Sequence, residues 1–239
     1  MLQVQAWTRL ELIDFLRGFA VILMLIYHFF FDLDYFGKIS LQSSFWYFFP
    51  RFIGGTFIFV AGISLSLAKI KYGERLTRES VKRGAKYLFL GLIITAITLP
   101  TSCYVRFGIL HFFGLAVILG SFFAGYRKLS AAAGILLFLA GLGLNQMAIN
   151  GEYLVWLGVM PAGFCTLDYY PLLPWLGVML VGIFVGNQFD LTFKLPDLLK
   201  PVNFLGRKSL TIYMIQHPLI LIIMQLYYGD IIDHIMAML

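Results

Sequence analysis

The chain has 239 residues, of which 60% are hydrophobic and 13% charged, and its formal net charge is +6. A soluble domain of that length cannot bury so much apolar surface, which excludes a water-soluble enzyme or binding module and leaves a polytopic membrane protein. The basic residues lie mostly between apolar runs, so the positive charge speaks for membrane topology and against a nucleic-acid partner.

Apolar runs long enough to cross a bilayer are predicted at 13–34, 45–68, 85–101, 107–125, 129–148, 171–187 and 209–228. They imply an all-α bundle of about seven transmembrane helices, one domain over residues 1–239, in a multi-pass protein of the cell membrane. No cleavable signal peptide is expected: the first run follows Glu11, Asp14 and Arg17, is long enough to span, and lacks a small-residue cleavage site. The stretch KIKYGERLTRESVKRGAK, Lys69 to Lys86, is the conspicuous basic loop. Placing it in the cytoplasm puts the N-terminus inside and the C-terminus outside. Of the 18 Lys and Arg residues, only Lys38, Arg51 and Arg106 then fall outside; Lys194, Lys200, Arg207 and Lys208 fall inside. Both cysteines, Cys103 and Cys165, come to the outer side, where a disulfide and two free thiols are both open. The segment from Glu152 to Cys165 is apolar but short and contains Pro161 and Gly163. It is predicted to be interfacial or re-entrant, because a further span there would carry the basic 194–208 loop outside.

The first helix concentrates the ionisable groups. Arg17 and His28 are eleven residues apart, which returns a helix to within about 20° of the same face and rises roughly 16 Å. Asp14, Arg17, Val21, Met24, His28 and Asp32 therefore share one stripe. Charge inside a span is costly and marks a functional cavity by default. Asp32, one turn beyond His28, is placed to orient its imidazole and raise its basicity, which makes His28 a candidate general base. Two further catalytic candidates, with packing or hydrogen bonding as the alternative role, are His111, about one turn into the fourth helix, and His217, near the middle of the last beside Gln216 and Pro218. His234, in the terminal tail, carries no expected role. Arg51 and Arg106, at the outer ends of helices two and four, are candidates to stabilise an oxyanion or hold an acidic acceptor. The run DYYPLLPW opens the sixth helix as an aromatic belt. Its Asp168 is a candidate substrate contact or a helix N-cap, and Trp175 and Gln216 are further substrate candidates. The run GRKSL, Gly206 to Leu210, reads as a glycine turn, two basic residues and Ser209 as cap, with Arg207 and Lys208 at the cytoplasmic rim. The glycines of helix two, Gly54, Gly55 and Gly62, read as close-packing sites rather than a phosphate loop.

Other chemistries are less well supported. A metal centre needs three or four converging ligands, and no tight ligand motif such as HxxxH is present, so none is expected. A proton-coupled small-solute transporter would also use buried His, Asp and Arg, but seven spans divide badly into two repeats. A non-catalytic membrane assembly partner is the third alternative.

Five blocks in order carry a resemblance. RLELIDFLRGFAVILMLIYH (Arg9–His28), GGTFIFVAGISLSLA (Gly54–Ala68), FGILHFFGL (Phe107–Leu115), DYYPLLPWLG (Asp168–Gly177) and GRKSLTIYMIQHP (Gly206–Pro218) together resemble the bacterial and archaeal branch of the heparan-alpha-glucosaminide N-acetyltransferase-like integral-membrane acyltransferases. The resemblance implies acetyl transfer from cytoplasmic acetyl-CoA to a sugar amine or hydroxyl across the membrane. The animal enzyme has its catalytic histidine before the second helix, where Ser40 to Ser44 here hold none, so a catalytic His28 follows from the Arg-to-His spacing of the wider acyltransferase group. The roughly 16 Å between Arg17 and His28 is comparable to a pantetheine arm. Arg17, with Asp14, Arg207 and Lys208 at the same end, is thus the expected CoA anchor. Expected partners are acetyl-CoA, a sugar or cell-envelope glycan acceptor and the lipid bilayer, with a homo-oligomer left open.

Overall fold

A computed structural model describes residues 10–147, 149–192 and 195–238. Arg9, Ala148 and Lys194, which entered the readings above, lie outside the described residues. The helices are α1 (Glu11–Tyr35), α2 (Ser44–Tyr72), α3 (Leu76–Thr98), α4 (Ile109–Phe123), α5 (Arg127–Leu144), α6 (Leu172–Gln188), α7 (Lys200–Arg207), α8 (Ser209–Tyr228) and α9 (Ile231–Met238). No strand occurs among the described residues beyond an isolated bridge between Phe107 and Tyr169. Four helical stretches are candidate membrane spans by length and hydropathy: α1, the 55-residue run Ser44–Thr98 that holds α2 and α3, α5, and α8. The apolar α4 and α6 are shorter, at 15 and 17 residues. The short helix α7, just before α8, was not foreseen.

The chain divides into two compact units, Met1–Thr56 with Asp190–Ile231, and Phe57–Phe189 with Ile232–Leu239. In the first, α1 packs against α7 and α8. Within a membrane, helices gain little from excluding lipid, so association depends on close van der Waals contact and small interfacial residues. Gly18 and Gly206 supply that contact. A Cβ on Gly18 would strike the Val202 carbonyl, and one on Gly206 would strike the Asp14 carbonyl. This corrects the reading of GRKSL: Gly206 is a packing residue inside α7, not a turn. Likewise Ser209 is the first residue of α8, and the Lys208 cap position makes no side-chain capping bond. The buried face of α1 carries Asp14, Val21, Met24 and Asp32 of the predicted stripe. Farther along, Lys38 Nζ meets Asp230 Oδ2 at 2.6 Å and lies 4.8 Å from the Tyr228 ring centroid. That pair joins the end of α1 to the end of α8, so the two helices run parallel.

In the second unit, α3 packs on α4, α5 on α6, and α4 on α6. The Gly62 reading holds, since a Cβ there would strike the Met179 carbonyl of α6. The stretch between α5 and α6 contains no helix among its described residues. It folds back on the start of α6 through Leu172 N–H to Trp156 O at 2.8 Å and Leu173 N–H to Leu157 O at 3.2 Å. Cys103 and Cys165 form a disulfide across 62 residues of sequence.

Candidate functional site

The candidate residues separate between the units. Asp14, Arg17, His28, Asp32, Arg51, Arg207, Lys208, Gln216 and His217 belong to the first; Arg106, His111, Asp168 and Trp175 belong to the second.

In the first unit, α1 presents His28 and Asp32 one turn apart, and α8 brings His217 against them. The His217 Nδ1 stands 3.0 Å from Asp32 Oδ2. A carboxylate accepts, so Nδ1–H donates and the lone pair of the neutral ring sits on Nε2. Asp32 is buried, whereas the His217 side chain is 42% exposed. The buried carboxylate thus fixes the tautomer and orientation of an imidazole with an accessible edge. Asp32 was expected to orient His28, and the structure corrects this: the His28 Nδ1 donates to its own helix carbonyl, Met24 O, at 3.0 Å. A carbonyl cannot donate, so His28 also keeps its lone pair on Nε2. The two rings meet edge to face, with centroids 4.5 Å apart. An i+4 carboxylate on α1 can be taken by either a local or a distant partner, and sequence spacing shows only the local one.

Gln216 lies beside His28 and is 1% exposed. Neither its Oε1 nor its Nε2 makes a hydrogen bond of ordinary geometry. About three turns from His28 toward the start of α1, Arg17 Nη1 stands 3.8 Å from the buried Asp14 Oδ1. Arg207 and Lys208 are exposed at the junction of α7 and α8. Asn203, buried on α7 with its Oδ1 unpaired, is a polar group that the sequence reading missed. Its only sequence signal is the i, i+3 spacing to Gly206 on the face that meets α1. Arg51 is exposed; its Nη1 donates to Tyr47 O at 2.6 Å, and its guanidinium stacks 3.6 Å from the Tyr47 ring centroid.

The second unit uses similar residue types for architecture. Arg106 Nε donates to Glu152 Oε2 at 3.0 Å, its Nη1 donates to Cys165 O, and Tyr104 and Phe164 flank the guanidinium. Asp168 does cap a helix, but not the one it precedes. Its Oδ2 accepts from Ile109 N at 2.8 Å, the first N–H of α4, where a negative charge also complements the helix dipole. Gly108 is required there, since a Cβ would strike that same carboxylate oxygen. Tyr169, outside the helices, donates its hydroxyl to Val155 O at 2.9 Å, and burial pushes its phenol up to about 12. Trp175 rests against the Tyr170 ring at 5.1 Å between centroids. His111 is buried on α4. Thr95 Oγ1 donates its one proton to Val105 O at 2.7 Å, so it can only accept from His111 Nε2–H at 3.4 Å. The remaining lone pair on His111 Nδ1 is buried without a partner.

No curated protein and no solved structure matches the chain. A family does: the catalytic domain of heparan-alpha-glucosaminide N-acetyltransferase matches residues 9–218, a stretch that includes both histidines of the α1–α8 cluster, its carboxylate and Arg17. With most of its length matched, this chain belongs to that family of transmembrane acetyltransferases.

Proposed function

We propose that this protein takes acetyl-CoA from the cytoplasm and transfers the acetyl group to a hydroxyl or amine, on a cell-envelope glycan or sugar, at the other face of the membrane. In this reading the helices cross about seven times with the N-terminus inside. The observation that carries the proposal is the Asp32–His217 pair, with His28 edge-on to it. A buried carboxylate holding an imidazole in one tautomer leaves Nε2 free to act as a general base. The acceptor X–H attacks the thioester carbonyl while His217 Nε2 takes its proton. The tetrahedral intermediate expels the CoA thiolate, and the proton on His217 passes to that sulfur. Asp32 stabilises the transient imidazolium, as a carboxylate does in hydrolase triads.

Arg17, at the other end of α1, is the anchor for CoA phosphate, with Arg207 and Lys208 beside the start of α8. Phosphate charges cannot enter hydrocarbon, and guanidinium grips them with two bonds. Arg51 and Arg106 are assigned to anchoring rather than to the oxyanion, because both guanidiniums already bind atoms of their own chain. The disulfide supports the proposed orientation, since such bonds persist on the oxidising face of a membrane.

Sealed proteoliposomes test the whole. Acetyl-CoA supplied only on the side of the Lys69–Lys86 loop should support transfer, and acetyl-CoA on the other side should not. Arg17→Lys should raise the KM for acetyl-CoA about ten- to a hundred-fold, the loss of a charge-assisted bond, with little change for the acceptor. Equal activity from both sides would overturn the assignment of donor entry to the Arg17 end.

A further inference from the structure

The buried row of α8 is Gln216, Ile220 and Met224, and Gln216 is out of character in it. At 1% exposure it is among the most enclosed side chains described, yet neither its amide oxygen nor its amide nitrogen makes a hydrogen bond of ordinary geometry, and the polar group beside it is the His28 ring. A buried amide whose hydrogen bonds are poorly made destabilises the fold, and an apolar side chain of the same length would not. Pro218, two residues on, removes one N–H from the helix ladder and leaves the Met214 carbonyl without its usual donor. Even so, the Gln216 amide is not used to fill that gap. Its place is beside the His28 ring and next in sequence to His217, whose Nε2 carries the lone pair that Asp32 leaves available.

Resting on the acyl-transfer reading above, we propose that Gln216 is the hydrogen-bond donor to the acyl carbonyl of the thioester. When the acceptor attacks, the carbonyl π bond opens and its electron pair becomes an oxyanion. The proton released from the acceptor goes to His217 Nε2, an acceptor at the start of the step, and so leaves the imidazole unable to accept again. The Gln216 Nε2–H group faces the oxyanion as its charge grows. When the carbonyl re-forms, the carbon–sulfur bond breaks, the thiolate takes the proton from His217, and the amide is again without a charged partner. A neutral amide suits this role: it donates without a competing proton and without repelling the imidazolium beside it. Imidazoles that must accept protons cannot also stabilise the oxyanion, so the division between His217 and Gln216 follows from their hydrogen-bonding types.

The test is Gln216→Met, which keeps length and volume and removes both polar atoms, with Gln216→Glu as a second variant that keeps the shape but loses the amide donor. Release of CoA thiol from acetyl-CoA is followed with glucosamine as the acceptor probe, and the unfolding midpoint of the purified protein in detergent is measured without ligand. Both variants should lower kcat about 10²–10³-fold while the KM for acetyl-CoA stays within a few-fold, and Gln216→Met should raise the unfolding midpoint. A structural amide predicts the reverse of that last result, a lower midpoint. Wild-type kcat in Gln216→Met, or a fall in kcat that only tracks a lower midpoint, would overturn the assignment of Gln216 and leave the acyltransferase reading standing. Wild-type protein that releases no CoA thiol under any acceptor tried would overturn that reading itself, and the role of Gln216 with it.

Discussion

Asp32 and Asp168 are both carboxylates that bind a donor from a distant part of the chain. Asp168 accepts from the backbone N–H of Ile109, which has no proton to give away in any reaction. Asp32 accepts from His217, whose other nitrogen is a base. The arginines differ in setting: Arg106 is held by Glu152, Cys165 and two aromatic rings between loops, whereas Arg17 stands 3.8 Å from the buried Asp14 carboxylate of its own helix. Around Asp168 and Arg106, polar groups close on one another and staple loops to helix ends. Around Asp32, the His217 Nε2 keeps its lone pair, and the Gln216 amide makes no hydrogen bond of ordinary geometry. Residue type alone would have put both clusters in the catalytic site; what separates them is whether their hydrogen-bonding capacity is already satisfied.

Substitutions in the two clusters should therefore fail differently. The largest effect is expected from His217→Ala, which removes the base and should lower turnover about 10²–10⁴-fold with acetyl-CoA binding within a few-fold, as followed by initial rates and by isothermal titration. Near-normal turnover would reduce the α1–α8 cluster to the same architectural status as the Asp168 cluster. Asp32→Asn should keep the geometry but lose a charge-assisted bond of about 1.5–3 kcal/mol, a drop in kcat of about ten- to a hundred-fold. A loss in folded yield without a loss in specific activity would contradict the dyad. In the other unit, replacing Cys103 and Cys165 together with serine should lower stability by about 2–4 kcal/mol and leave turnover per folded molecule unchanged. A selective loss of kcat there would move the loop clasp into the chemistry. Arg51→Gln is expected to be the mildest, within about 1 kcal/mol in stability and silent in kinetics. A large change in acceptor KM would restore Arg51 as a substrate contact.

Hydrophobic run lengths located the long helices because a bilayer imposes a minimum apolar length, and that constraint is local in sequence. The stripe on α1 was legible for the same reason: Asp14, Val21, Met24 and Asp32 follow from 3.6 residues per turn, and all four are buried. Close packing at Gly62 was legible in kind, though its partner was not. Partner choice belongs to tertiary structure. Asp32 could have served His28, its neighbour by spacing, but His217 is 185 residues away in sequence and takes it instead. The cap made by Asp168 on α4, the tie of Arg106 to Glu152 and the disulfide likewise depend on loops meeting across 46 to 62 residues. No periodicity encodes such meetings. Gln216 and Asn203 show the same limit: a sequence shows that a polar residue occupies a helix, but only the packed chain decides whether its hydrogen bonds are made, because that depends on every neighbour at once.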